Sequence, residues 1–259
     1  MNSTIELLNK RKSVRAYEER EIPQYIKEEI LKSAMRAPTA GNCMLYSIID
    51  IKDDEIKEKL AISCDNQPFI AKSPMLLLFL ADYQRSYDYF IHCGVDEICK
   101  IKGEKLRTPE AAELFLACSD ALIAAHTAVI AAEALGIGSC YIGDIMERYE
   151  EHKEMFNLPP YVFPIALVCF GYPAEQQLEL PQTKRFDGKY IVFDNVYKSM
   201  SGEEFDDMYR ERYIRTFRER EEVNGARNFG QLLYHNKYDS DFAKEMNRSV
   251  KVILKNWNL

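Results

Sequence analysis

Arg11-Lys12-Ser13-Val14-Arg15-Ala16-Tyr17 crowds two guanidiniums, an ammonium and a hydroxyl into one short segment. A guanidinium offers a planar fork of donors that matches phosphate oxygens in pairs. A lysine adds a mobile point charge and a serine hydroxyl one further donor. The chemistry this set supports is the grip of a phosphorylated, anionic ligand. A solvated basic turn has the same composition, so the segment gains meaning only from residues that join it.

Two further stretches could complete such a site. In Asp65-Asn66-Gln67-Pro68, the Gln67 amide carries donors and an acceptor on one planar group, the complement of an imide edge such as that of flavin or uracil. In Gly136-Ile137-Gly138-Ser139-Cys140-Tyr141-Ile142-Gly143, Gly143 offers side-chain-free backbone that a flat ligand can approach closely. The glycines of that stretch are not a dinucleotide fingerprint, which follows a strand and opens a helix; this one closes a helix. His92, Cys93 and Cys99 match no tetrahedral metal template, and no metal is expected.

Elements that position these groups follow from periodicity and breakers. Ser3 and Glu6 have the spacing of a capping box, which predicts a helix from Thr4 to about Lys10 that delivers Arg11 at its end. Pro23 stands at a first helical position, and Ile26, Ile30 and Ala34 predict a helix with one buried stripe, ended by Pro38. Gly41-Asn42 tolerates left-handed backbone, so Ala37–Asn42 is a loop with exposed amides. Strands are predicted over Ser47–Ile51, Met75–Ala81, around Tyr141 and over Tyr161–Phe170, with helices over Glu55–Ile62 and Glu147–Phe156. The run from Ala111 to Leu135, interrupted by Glu113, Asp120, His126 and Glu133, reads as a core helix instead of a membrane span, with His126 as a hydrogen-bonded core residue. Tyr83–Arg107 is irregular, as either a lid or a packed insertion would be.

The chain has 259 residues, 47% of them hydrophobic, enough for one large core with an appendage. Its net charge of -7 disfavours nucleic acid and anionic membranes as partners. Seven scattered cysteines without a CxxC pair, and an N-terminus without a charged-then-apolar segment, point to reduced thiols in the cytoplasm.

Five segments now stand in one order: RKSVRAY, APTAGN, DNQPFIAKSP, GIGSCYIGDI and CFGYPAE, followed by Lys184-Arg185. Together they resemble the FMN-dependent nitroreductase family. The resemblance implies an α+β sandwich around a mixed, mainly antiparallel sheet, an intertwined homodimer, and FMN at the dimer interface. It spans roughly residues 5–190, so 1–190 is expected as the FMN domain and 191–259 as a helical extension. By the same resemblance Arg11, Lys12 and Ser13 serve the FMN phosphate with Lys184 and Arg185. Arg15 and Gln67 face the N1, O2 and N3 edge of the ring. Thr39, Ala40 and Asn42 reach the cofactor of the other subunit, and Ile142 and Gly143 lie beside N5 and O4. Arg15, at the edge where reduction deposits negative charge, is the electrostatic stabiliser.

The implied activity is hydride transfer from NAD(P)H through flavin N5 to a small electron-poor acceptor, a nitroaromatic or quinone, by a ping-pong scheme. Reductive dehalogenation, oxygen-dependent chemistry and non-catalytic flavin binding are the alternatives. Two positions depart from the family pattern: Cys43-Met44-Leu45-Tyr46 replaces a common Gln-Pro-aromatic run, and Lys184 and Arg185 are adjacent where a basic-Pro-Arg spacing is common. In the tail, Phe205, Tyr209, Tyr213 and Phe217 recur at helical spacing and predict an aromatic stripe, with a second amphipathic helix over Asp241–Lys255.

Overall fold

The computed structural model describes residues 2–218 and 220–257. Two short helices come first, α1 (Ser3–Lys10) and α2 (Gln24–Ala34). The α1 cap is Asn2, whose side chain accepts from the Thr4 N–H, and not Ser3 as the capping-box spacing predicts. Pro23 caps α2, which buries Ile26, Ile30 and Ala34 as their spacing requires.

Strand β1 (Tyr46–Ile51), helix α3 (Asp54–Ser63) and strand β2 (Met75–Asp82) follow. Tyr83–Arg107 holds two helices, α4 (Gln84–His92) and α5 (Val95–Ile101), neither with a buried residue. The long α6 (Ala111–Ala134) leads into β3 (Gly138–Ile142), α7 (Tyr149–Met155) and β4 (Val162–Gly171). After β4 come α8 (Glu175–Glu179), α9 (Gly202–Phe217), α10 (Phe229–Leu233) and α11 (Asp241–Asn256).

The strands form one sheet in the order β1-β2-β4-β3, and every neighbouring pair is antiparallel. Among the described residues the parallel component of a mixed sheet is a single bridge between Ser13 and Ser139. All of β2 is buried, as is β4 except at Ile165. Side chains alternate across the sheet, so Leu77 and Phe79 meet α2 and α6 on one face while Leu76, Leu78 and Leu80 join Leu60, Ile145 and Leu158 on the other.

Helix α6 is long and apolar enough to cross a membrane by length and composition alone. Its Ala121, Ala124, Ala125 and Ala128 are fully buried against the sheet and α2, which makes it the core helix. His126 lies on its exposed side, so the expected core role for that imidazole is not realised. Also exposed on α6 are Phe115, Leu116, Leu122 and Ile123.

The chain separates into two units at a boundary other than the expected one. The first runs to Pro181 and resumes at Glu245, and the second is Gln182–Lys244. Most of α11 thus belongs to the first unit, because Ile253 and Trp257 pack with Leu45, Leu114, Tyr149 and Phe163. In the second unit the predicted stripe on α9 is present: Tyr213 stacks on Phe217 with ring centroids 4.9 Å apart, and Tyr209 meets Phe186 and Phe229.

Candidate functional site

Helix α1 stops at Arg11, whose N–H closes on Leu7 O. From there the chain runs along the open edge of β3. Val14 N–H donates to Ser139 O at 2.9 Å, Glu18 N–H to Tyr172 O at 2.9 Å, and Ala174 N–H to Ala16 O at 3.1 Å. Two glycines, paired in register across β3 and β4, allow this close approach. A Cβ on Gly138 would stand 2.5 Å from Val14 Cγ2, and one on Gly171 would stand 2.5 Å from Tyr17 Cδ1. Only a residue without a Cβ fits at either place.

The docked segment concentrates charge around β3. Burial raises the Cys140 thiol, opposed by the charges of Arg15 and Arg11 and by hydrogen bonds with Ser13 and Arg15. Arg11 likewise opposes the upward shifts that burial imposes on Tyr141 and on Glu133. Arg11, Ser13 and Arg15 are therefore neighbours at one place, as their sequence clustering implies. Arg15 is further fixed through its backbone N–H, which donates to Gln177 Oε1 at 3.0 Å. Lys12 does not join them. Its ammonium donates to the carbonyls of Leu178 and Leu180, at 2.7 and 2.6 Å, and so ties down the C-terminal end of α8.

The end of β3 brings in the second group. Gly143 is exposed and opens a 3-10 turn, and a Cβ built on it meets nothing within 4 Å. The next residue, Asp144, accepts from Gln67 Nε2 at 2.9 Å, and the same nitrogen donates to Cys64 O at 2.9 Å. The orientation of the Gln67 amide follows from its partners: both are acceptors only, so the nitrogen must face them. With those donors in use, Gln67 has its carbonyl oxygen left for a ligand. The donor half of the expected imide complement is not available.

The loop after α2 is organised by a residue that pattern reading passes over. Asp120, 2% exposed on α6, accepts from Ala40 N–H at 2.9 Å and from Leu45 N–H at 3.1 Å, one bond to each carboxylate oxygen. Thr39 Oγ1 accepts from Met44 N–H at 3.3 Å. Gly41, Asn42 and Met44 take positive φ, as the Gly-Asn pair foretells for the first two. Thr39, Ala40 and Asn42 are thus presented on a loop bolted to the core helix. The clue to Asp120 in the sequence is a carboxylate within an apolar helix, where burial demands donors.

Lys184 and Arg185 belong to the second unit. Within it Lys184 is paired with Glu211 at 2.8 Å, and both cations line a charged cleft with Phe186, Lys189 and Arg210.

The chain is 32% identical over 199 residues to the CR(VI) reductase of Pseudomonas sp. (strain G-1), with 77% of each chain covered. It is 30% identical to the FMN reductase (NADPH) of Bacillus subtilis (strain 168), covering 76% of this chain and 75% of that one. The solved structure of B. megaterium NfrA2 superposes with a TM-score of 0.79 at 25% identity, covering 99% of this chain and 98% of the other. Residues 8–172 match the Nitroreductase family, and with that match over most of the first unit the chain belongs to this family.

Proposed function

We propose that the chain is an FMN-dependent oxidoreductase that takes reducing equivalents from NAD(P)H and passes them to a small, flat, electron-poor acceptor such as a nitroaromatic or a quinone. The observation that carries this is the meeting of a cationic cluster, Arg11 with Ser13 and Arg15, and backbone open at Gly143 along a single strand. These features fit FMN. A phosphate wants guanidinium and hydroxyl donors, a planar ring needs backbone without a side chain, and an imide N–H needs the acceptor that Gln67 retains. The names of the relatives above, an FMN reductase using NADPH among them, support the same assignment.

Bound FMN supplies the hydride chemistry at its N5. What the chain does is hold and tune it. Arg11 and Ser13 take the phosphate, and Lys184 and Arg185 are assigned to it by the family resemblance. Arg15 would set a fixed cation against the ring edge that gains negative charge on reduction, which would raise the reduction potential. Gln67 accepts from the imide N–H. Ile142 and Gly143 would stand beside the reactive edge, where Gly143 offers backbone with no side chain in the way. No protein nucleophile or general base is required.

A homodimer completes the proposal. Phe115 is 70% exposed, and Leu116, Leu122 and Ile123 share its stripe on α6, a face that a second copy would cover. Thr39, Ala40 and Asn42 would then reach the cofactor of the partner subunit. Seven free thiols fit a reducing compartment such as the cytoplasm.

The test is direct. The purified chain mixed with FMN should turn yellow and bleach on anaerobic addition of NADH or NADPH. Menadione or a nitroarene should then restore the colour, with parallel-line steady-state kinetics. Failure to take up FMN would remove the proposal, and uptake without bleaching by either nicotinamide would move it to a different flavin reaction.

A further inference from the structure

We propose that Asp144 is a positioning residue that locks the Gln67 amide with its oxygen outward, making the site selective for rings with an imide N–H, and that Glu147 makes this lock respond to pH. This rests on the flavin reading above and deepens it.

An amide in solution presents its oxygen or its nitrogen by a simple rotation, so an acceptor role for Gln67 has to be enforced. Cys64 O and Asp144 Oδ2, each 2.9 Å from Nε2, do so together. Cys64 O belongs to the backbone and cannot be altered by side-chain substitution. Asp144 can, and it directly follows Gly143, so the same turn carries both the open backbone and the residue that orients Gln67.

Behind Asp144 stands Glu147, 6% exposed. Its Oε1 has no donor among the described residues, and its carboxyl lies within hydrogen-bonding reach of Asp144. A protonated Glu147 in such contact is placed to donate to the Asp144 carboxylate. Burial, and then Asp144, Asp65 and Glu245, push Glu147 up to about 7. Glu245 is occupied by Arg248, with Nε to Oε2 at 2.8 Å, and Arg148 is directed to Glu151 at 3.8 Å. His152 Nδ1–H donates to Ile145 O and its Nε2 accepts from the Ser63 hydroxyl, and burial lowers its pKa, so near neutrality it adds no charge. The neighbouring Cys64 thiol is pushed up to about 12 by burial and remains a thiol.

The sign follows. Glu147 is raised above the ordinary 4.5, so its favourable contribution is present below that value and lost as pH climbs through about 7. When protonated it donates to Asp144 and steadies the acceptor that holds Gln67. When ionised it faces three carboxylates, pushes Asp144 away and frees the amide to rotate.

The experiment compares FMN with N3-methyl-FMN, which lacks the imide N–H, by flavin fluorescence titration of the full chain well below and well above the Glu147 midpoint. The wild type should prefer FMN about tenfold at the lower pH, the worth of one buried hydrogen bond, and less at the higher. Asp144→Ala should abolish the preference at both pH values. Asp144→Asn, which keeps an oxygen for Gln67 Nε2, should retain the preference but lose its pH dependence. Glu147→Gln, a permanent donor, should retain the full preference at both. A ratio of two affinities is unmoved by partial misfolding, which weakens both alike. Wild-type preference in Asp144→Ala, or unchanged pH dependence in Glu147→Gln, would overturn the inference. FMN binding by the wild type without preference would overturn it alone, whereas no FMN binding would overturn the flavin reading as well.

Discussion

Segment 11–17 and loop 39–45 both carry residues assigned to the cofactor, and they are held in place by different means. The first lies along β3 because Gly138 and Gly171 leave room for Val14 and Tyr17. It is held by shape, and its backbone hydrogen bonds follow once the two surfaces meet. The second crosses from α2 to β1 and enters the core only at its end, through Leu45, and Asp120 anchors it through the Ala40 and Leu45 N–H groups. It is held by a buried charge. Steric fit distributes its effect over many atoms, whereas a buried carboxylate concentrates it on one side chain.

The sharpest way to break this comparison is Gly171→Ala. The added methyl meets Tyr17 and Pro74, and Pro74 has little freedom to move. A loss of about 3 kcal/mol in denaturant-unfolding free energy is expected, together with loss of flavin binding. Gly143→Ala is the control on the same chain. Its Cβ enters open space, so stability should move by less than about 0.5 kcal/mol while FMN affinity drops about tenfold. A large stability loss at Gly143 would mean that this turn, too, is held by packing.

Asp120→Ala tests the other side. It strands the Ala40 and Leu45 N–H groups, and a loss of about 2 kcal/mol is expected, with faster hydrogen exchange confined to loop 39–45 and its flanks. Uniform loosening of the whole first unit would show that Asp120 supports the core and not the loop.

Within segment 11–17 the two arginines should separate by function. Arg11→Ala is expected to weaken FMN binding about tenfold with little change in reduction potential. Arg15→Ala should lower the potential by about 30 mV with a smaller loss of affinity. Equal effects from both would erase the distinction between phosphate and ring edge.

The smallest effect is expected at the entrance to α6. Arg107, with Nη2 2.6 Å from Glu113 Oε1, holds that carboxyl down to about 2. A carboxyl lowered in the folded state stabilises above its ordinary 4.5 and loses that contribution as pH falls toward 2. Because the Arg107 side chain is 63% exposed, solvent screens the pair and its contribution should be small. Acid unfolding of Arg107→Ala and the wild type should therefore converge at the lowest pH and differ modestly near neutrality.

What could be read from the residues and what could not divide along the same physical line. Local preferences act over a few residues and leave their mark in the sequence. The stripe Ile26, Ile30, Ala34 marks α2, Gly41-Asn42 marks the positive φ that the loop adopts, and the aromatic repeat marks α9. The chemical grouping of Arg11, Ser13 and Arg15 was legible too, since a short segment cannot scatter its side chains far. Contacts between distant segments carry no local signature. Nothing near Gly138 says that Val14 will fill its vacant Cβ position, and nothing in the composition of segment 11–17 turns Lys12 away to the carbonyls of Leu178 and Leu180.

By itself, then, the sequence determined most of the elements and the kind of ligand, because propensity and charge are properties of the residues themselves. The tertiary structure alone decided that Asp120 fastens the loop, that Gln67 shows its oxygen and not its nitrogen, and that α11 from Glu245 returns to the first unit. Each of these depends on which partner a group finds once water is excluded, and that partner lies tens of residues away along the chain.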